Sequence, residues 1–485
     1  MREGPILFND FIKLLKYKYP IQFQVVTMQS LIRRSVCTLV LGCSLLLPAV
    51  CPAQDDGSPP EVPAVWTAAQ AVAFALANSP DSRIVLERIR SAEAQARMAD
   101  AADLPAITLS SGYSQTDNPM YSFGNILNQG AFDNSIDFND PGRTDNLQLK
   151  AEIQYRLYSG GRDTANRRNA AARVDGAATD RTSLYRLLAF EVVRAFHTVV
   201  QAEELTAVRQ EALQAITASL AVARARFEAG ALLQQDLLTI ELQQATASEN
   251  LIAGRHAEEL ARRRFLNLLG LPRGEVRLDR SHGLDQELPA TVSAAGRHEI
   301  MSLKAAIQAA EASVAAARGA KKPTVDSFAS YQVDNGTVLD DGGDSWMAGL
   351  RLNYTLYDGD HTNAAIALAE SRLRETRAQL AKTELALDFE VQQAELDYDQ
   401  AGQRLQVTEK MVAAAGETAR LSRERFKEGV ILAIDLIDVE TRLSDALVRR
   451  SAAKSMHQIA LANLRRAMGL PQFDEDVVTE KEISQ

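Results

Sequence analysis

The chain has 485 residues, with 53 Lys and Arg against 63 Asp and Glu, for a formal net charge of -10. That acidic balance argues against a nucleic-acid binder, which needs a basic face for polyphosphate. Aromatics make up only 6 % of the residues, Pro and Gly are few and Ala is abundant, which excludes an all-β protein and points to long helices.

The N-terminus reads as a targeting signal. Arg33 and Arg34 precede the apolar run Val36 to Val50, and Cys51-Pro52-Ala53 closes it ahead of Gln54-Asp55-Asp56. This charged, apolar, small-residue order is that of a secretory signal peptide cut after Ala53, with Met28 as the expected true start. Residues 1–53 hold six basic and two acidic residues, so the exported chain keeps 47 basic and 61 acidic ones. Cys37, Cys43 and Cys51 all lie in the leader, so the exported chain has neither disulfides nor thiolate ligands and must be stabilised by packing or assembly. Lipidation stays open: Gly42-Cys43 supplies the small residue it needs but would leave Ser44 to Ala49 on the mature end, and Val50-Cys51 does not fit. Beyond Ala53 no apolar run reaches the roughly 18 residues of a membrane helix.

The remainder is an internal repeat. Gly429 follows Gly230 by 199 residues, and the same offset relates Tyr357 to Tyr158, Gly359 to Gly160, Phe389-Glu390-Val391 to Phe190-Glu191-Val192, and Met468-Gly469-Leu470-Pro471 to Leu269-Gly270-Leu271-Pro272. Upstream the offset becomes 218, as for Glu311 and Glu93, Pro323 and Pro105, and Tyr331 and Tyr113. The first half therefore holds 19 additional residues between Tyr113 and Tyr155, expected in a surface loop.

The repeats are expected over 54–289 and 290–472, between the leader at 1–53 and a tail at 473–485. The first opens with helix over 67–103, notched at Asn78-Ser79-Pro80, then strands over 107–115 and 145–158 and a long helical hairpin over 161–269 with its tip near 230. The second repeats the order: helix 293–320, strands 325–333 and 345–357, and a hairpin over 360–468 with its tip near 429. No proline falls between Gly142 and Leu271 or between Thr324 and Leu470, so each descending helix can run for about 100 Å at 1.5 Å per residue. Such a hairpin, Ala- and Leu-rich with interleaved Arg, Glu and Gln, must bury its apolar stripe on other hairpins.

The strands alternate sharply. Leu147, Leu149, Ala151, Ile153, Tyr155 and Leu157 interleave with Asn146, Gln148, Lys150, Glu152, Gln154 and Arg156, and Trp346, Ala348, Leu350, Leu352, Tyr354 and Leu356 do the same with Ser345, Met347, Gly349, Arg351, Asn353 and Thr355. A soluble half-buried sheet alternates in this way, and so does a transmembrane strand of about 9–11 residues. The signal peptide and the terminal aromatics favour the membrane. Four strands cannot close a barrel, since about eight are needed, so several chains must share one.

Reactive chemistry is not evident. His197, His256, His282, His298, His361 and His457 include no pair at i, i+3 or i+4, and there is no HExxH, phosphate-cradling loop or nucleophile elbow, so neither an enzyme nor a bound metal or other cofactor is expected. The bend between the long helices remains. Gly230 and Gly429 suit a helix C-terminus, while Asp236 and Asp435 suit the first turn of the returning helix. Asp438, three residues after Asp435 on the same side, gains less from the helix end. In chains meeting on an axis these carboxylates would form rings that resist narrow closure and attract cations.

Together these residues resemble the TolC-like outer-membrane efflux proteins. The carriers are Phe-x-x-Gly with a following Asp-Leu in both halves, Leu157-Tyr158-Ser159-Gly160-Gly161, Leu356-Tyr357-Asp358-Gly359, Asn267 to Pro272 with its Met468 copy, and Ala77-Asn78-Ser79-Pro80, in the family's order over nearly all the exported chain. The resemblance implies a mainly α chain of two tandem repeats, three copies of which share a 12-strand outer-membrane barrel in outer-membrane lipid and a periplasmic tunnel of helices. It further implies passive export, with a periplasmic adaptor docked on Gly230-Ala231-Leu232 and Gly429-Val430-Ile431, an inner-membrane pump of RND, ABC or MFS type supplying energy, and Asp435, Asp438 and Asp236 at an acidic constriction. Ile431 departs from an arginine that locks the closed tip in some members, and His298 from a proline common between two helices, read as a structural swap. The alternative from a different class is a periplasmic coiled-coil adaptor or scaffold without a pore.

Overall fold

The structure, a computed structural model, describes residues 62–280, 288 and 292–473. The expected signal peptide with its three cysteines, His282 and the tail after 473 lie outside the described residues. The elements in order are α1 (Ala68–Asn78), α2 (Pro80–Asp100), β1 (Ala106–Thr116), α3 (Pro119–Asn128), β2 (Thr144–Tyr158), α4 (Arg162–Glu228), α5 (Gln234–Leu268), α6 (His298–Gly319), β3 (Thr324–Asn335), β4 (Gly342–Asn353), α7 (His361–Lys427) and α8 (Ala433–Ala467). The repeat is kept to the residue in the hairpins: α4 and α7 each have 67 residues, α5 and α8 each 35.

Three elements differ from expectation. Strand β4 stops at Asn353, short of Tyr357, because its partner β3 begins at Thr324, paired with Asn353, and the preceding Pro323 has no N–H to extend the ladder. Helix α6 starts at His298 rather than 293, with Arg297 as its N-cap in extended backbone. The additional residues of the first half are not all loop, since they include α3.

Long helices pack side by side. The hairpins α4/α5 and α7/α8 meet where α4 packs on α8, and toward the sheet α4 lies between α2 and α6, which in turn leans on α7. Among the described residues no helix is long and apolar enough to cross a membrane.

The four strands form an antiparallel meander in the order β1-β2-β3-β4. Their register sorts the side chains cleanly. Ile153 faces Ile107 and Ala329, Tyr331 faces Ala151 and Trp346, and Val325 faces Leu352, so one surface carries nearly all the apolar residues. A bulge between Arg156 and Tyr158 shifts Tyr158 into line with Val325 on that surface. The other surface holds Lys150–Glu152 (2.6 Å), Arg156–Asp326 (3.1 Å) and Asn146 donating to Asp334 (2.6 Å). The apolar surface has no cover: Trp346 is 74 % exposed and Leu350 71 %.

Two motifs form the joint between hairpins and short helices. Gly270, at φ +77°, ends α5 where a Cβ would stand 3.1 Å from the Asn78 carbonyl, so Leu-Gly-Leu-Pro lies against Ala-Asn-Ser-Pro. Its copy Gly469 lies against the Gly296 carbonyl at 3.1 Å. Here Arg297 takes the N-cap place that Ser79 holds, and its buried guanidinium donates to Ala467 O at the end of α8 (3.1 Å) and to Glu390 (3.0 Å). Burial disfavours the charge, but Glu299 and Glu390 outweigh it and hold Arg297 above its ordinary range. His298 opens α6 as Pro80 opens α2, and burial followed by the nearby Arg186 lowers its pKa.

At the strand-to-helix crossing, Gly160 and Gly161 both have positive φ. A Cβ on Gly160 would come within 2.5 Å of the Gly319 carbonyl, whereas one on Gly161 meets nothing. Gly161→Ala is therefore expected to cost only the about 1–2 kcal/mol of a left-handed residue, and Gly160→Ala distinctly more. Thermal unfolding followed by circular dichroism checks the difference.

Candidate gate and docking surface at the hairpin tips

Both descending helices end in the same closure. Gly230 (φ +71°) donates to Phe227 O at 2.9 Å and Ala231 to Arg226 O at 2.8 Å, while Gly429 (φ +81°) donates to Phe426 O at 3.0 Å and Val430 to Arg425 O at 2.9 Å. These paired bonds satisfy carbonyls that a helix end leaves open, and they need the left-handed residue that glycine supplies. The returning helices begin after Leu233 and Leu432, which have no oxygen with which to cap. In α8 the third residue compensates: Asp435 accepts from the Leu432 N–H at 3.3 Å. Asp236 holds the same position in α5.

Asp438 stands one turn further on, exposed and paired with Arg442 at 2.8 Å. An exposed pair at this spacing contributes a few tenths of a kcal/mol, about 0.3–0.5, so it is a weak restraint on the carboxylate. The two tips share one core of Ile216, Leu220, Ala223, Ile240, Phe426, Ala433, Leu436 and Ile437. Leu232 and Ile431 pack partly against it, whereas Ala231 and Val430 point outward beside the exposed Leu233, Leu432 and Ile434.

Several residues that position the tips escaped the sequence reading. Arg226 of the first tip lies over the Phe426 ring, 5.6 Å from its centroid, and donates to the Phe426 carbonyl at 3.1 Å. A Cβ on Gly429 would come within 3.1 Å of this guanidinium. Near its tip each hairpin is also braced by an ion pair, Arg224–Glu241 (2.9 Å) across α4 and α5 and Arg423–Glu440 across α7 and α8. Glu440 holds Arg423 above its ordinary range. The two pairs are related by the 199-residue offset, so applying that offset to charged residues would have found them.

The sequence profile described as outer membrane efflux protein matches residues 72–271 and 292–470, covering both repeats. The outer membrane efflux protein BepC of Brucella suis is 26 % identical over 287 residues, which make up 56 % of this chain and 61 % of that protein, less than two thirds of its length. Protein CyaE of Bordetella pertussis is 27 % identical over 422 residues, covering 83 % of this chain and 82 % of its own. The CmeC outer membrane channel of Campylobacter jejuni superposes with a TM-score of 0.74 at 14 % identity, covering 86 % of this chain and 90 % of that one. The outer membrane protein VceC of Vibrio cholerae gives 0.69 at 18 % identity, covering 84 % and 97 %. At these identities the structures speak to the fold: mainly helical, with a small sheet.

Arg226→Ala removes a cation–π contact and a charge-assisted bond between the tips, and is expected to loosen them by about 1 kcal/mol. Hydrogen exchange checks this as lost protection around Phe426 with the sheet unchanged.

Proposed function

We propose that this chain, which belongs to the outer membrane efflux protein family, works as an exit duct in which three copies close one outer-membrane barrel and one periplasmic tunnel. The open edge of a two-faced array carries the reading. Among the described residues strands β1 and β4 each leave one side unpaired, and the sheet between them presents an apolar surface that suits lipid and a polar one that suits a water-filled lumen. Three such sheets supply twelve strands, enough to close.

The helices support the same closure. Within one chain the first helix of hairpin one packs on the second helix of hairpin two, α4 on α8. The repeat-related contact, α7 on α5, is left for a neighbouring copy. Arg425, the counterpart of Arg226, would then reach the neighbour's Phe227, which is 39 % exposed where Phe426 is buried. Transport through such a duct is passive, driven by an inner-membrane pump of RND, ABC or MFS type through a periplasmic adaptor. The adaptor meets the turns at Gly230-Ala231-Leu232 and Gly429-Val430-Ile431, of which Ala231 and Val430 are the outward members. Asp435 and Asp438, with Asp236, form the acidic constriction, and Asp435 also caps its helix.

Planar-bilayer reconstitution tests the reading. The purified protein is expected to form cation-selective channels, and Asp435→Ala with Asp438→Ala to weaken both the selectivity and block by multivalent cations. Unchanged selectivity would leave these residues only their local roles, and a soluble monomer without conductance would favour the adaptor or scaffold reading.

A further inference from the structure

Residues 117–143 join β1 to β2, whereas 336–341 suffice between β3 and β4. The longer connection does not project away from the sheet. Ser122 donates to Gly142 O (2.5 Å) and to the Thr144 hydroxyl (3.0 Å), Asn125 donates to the same hydroxyl (3.0 Å), and Gln129 donates to Asp145 O (2.7 Å) and Asn146 Oδ1 (3.2 Å). Asn146 in turn donates to Asp334, whose cross-strand partner is Gly343, so this seat lies on the polar surface of the sheet. The end of α3 comes so close there that a Cβ on Gly343 would overlap the Asn128 carbonyl oxygen, and one on Gly336 the Gln129 amide.

This helix is seated the opposite way round from most. Ser122, Asn125, Ile126 and Gln129, at helical spacing, face the sheet, while Met120 (81 % exposed), Tyr121 (67 %) and Leu127 face away. A further apolar group stands beside them: Phe123 lies against Phe138 in a tilted pair (ring centroids 4.5 Å apart) and meets Phe132 edge-on (5.9 Å), with Phe132 and Phe138 still exposed. Apart from Ile126, polar residues make the seat and apolar ones make the free surface, which in water calls for a cover.

We propose that α3 and residues 130–143 form a lid on the lumenal side of the outer barrel mouth, and that the apolar surface of the lid is covered by the lids of the other two copies. The inference rests on the exit-duct reading. If the apolar sheet surface faces lipid, the polar surface and the lid on it face the lumen, where the occupant within reach is the same lid from a neighbouring copy. Twelve strands about 4.8 Å apart and tilted by about 40° enclose a circle about 24 Å across. That circle runs through the strand backbones, and three helices about 10 Å in diameter need about 22 Å even when they touch, so the side chains lining the wall leave them no room to stand apart. Met120, Tyr121 and Leu127 then meet near the axis as an apolar plug, which impedes water and ions by dewetting. Polar seating bonds allow the lid to lift, because lumen water can replace them.

Two readouts on the full chain in intact outer membranes test this, and both use the absence of cysteine after residue 53. Tyr121→Cys is expected to form disulfide-linked pairs of chains on mild oxidation. Met347→Cys, on the polar surface and exposed in the single chain, is expected to react slowly with a bulky maleimide added outside, and several-fold faster once residues 119–141 are replaced by a short Gly-Ser linker. Absence of the Tyr121→Cys link, together with equal labelling of Met347→Cys with and without the lid, would overturn the proposal. Should Met347→Cys stay unlabelled even in the lidless chain, the polar surface does not line an outward-opening lumen, and the exit-duct reading falls and takes the lid with it.

Discussion

Backbone polar groups have no water to turn to inside a bilayer, so every N–H and C=O of a spanning strand needs a partner. The outer sides of β1 and β4 have none among the described residues, although both strands are long enough to span and the sheet carries an uncovered apolar surface. Much of the structure depends on this deficit. In the proposed duct the chain is completed by copies of itself, and closing the sheet also sets the spacing of the helices that continue from it.

The helical layer is matched to that requirement. Gly160 crosses from strand to helix in close contact with Gly319, so α4 leaves the sheet beside the end of α6. The Gly-Leu-Pro turns clamp the returning helices against the short ones, once on a proline-opened helix and once through the buried Arg297. At the far end Arg226 couples the two tips. The repeat thus supplies the same contacts twice, one set used within the chain and one left on its edges.

The repeat, the long helices, the bends and the alternating strands could be read from the sequence because each leaves a periodic or punctuated trace: alternation by two, long runs without proline, and a glycine at each helix end. Other features left no such trace. That Tyr354 to Tyr357 fall outside β4 depends on where the partner strand ends. The lid helix has the wrong amphipathicity for a surface helix, and only the seat at Gly343 and Asn146 shows which side it uses. At the tips, the glycines and Asp435 could be assigned to helix ends from local rules. Arg226, Glu241 and Glu440 act across helices at long sequence separation, and charged residues on a helix look alike until a partner is placed beside them.

Native mass spectrometry of the protein extracted from membranes in mild detergent tests the central claim most directly. The account predicts one assembly with the mass of three exported chains. A monomer that still conducts in bilayers would contradict it, since four strands would then have closed a pore alone.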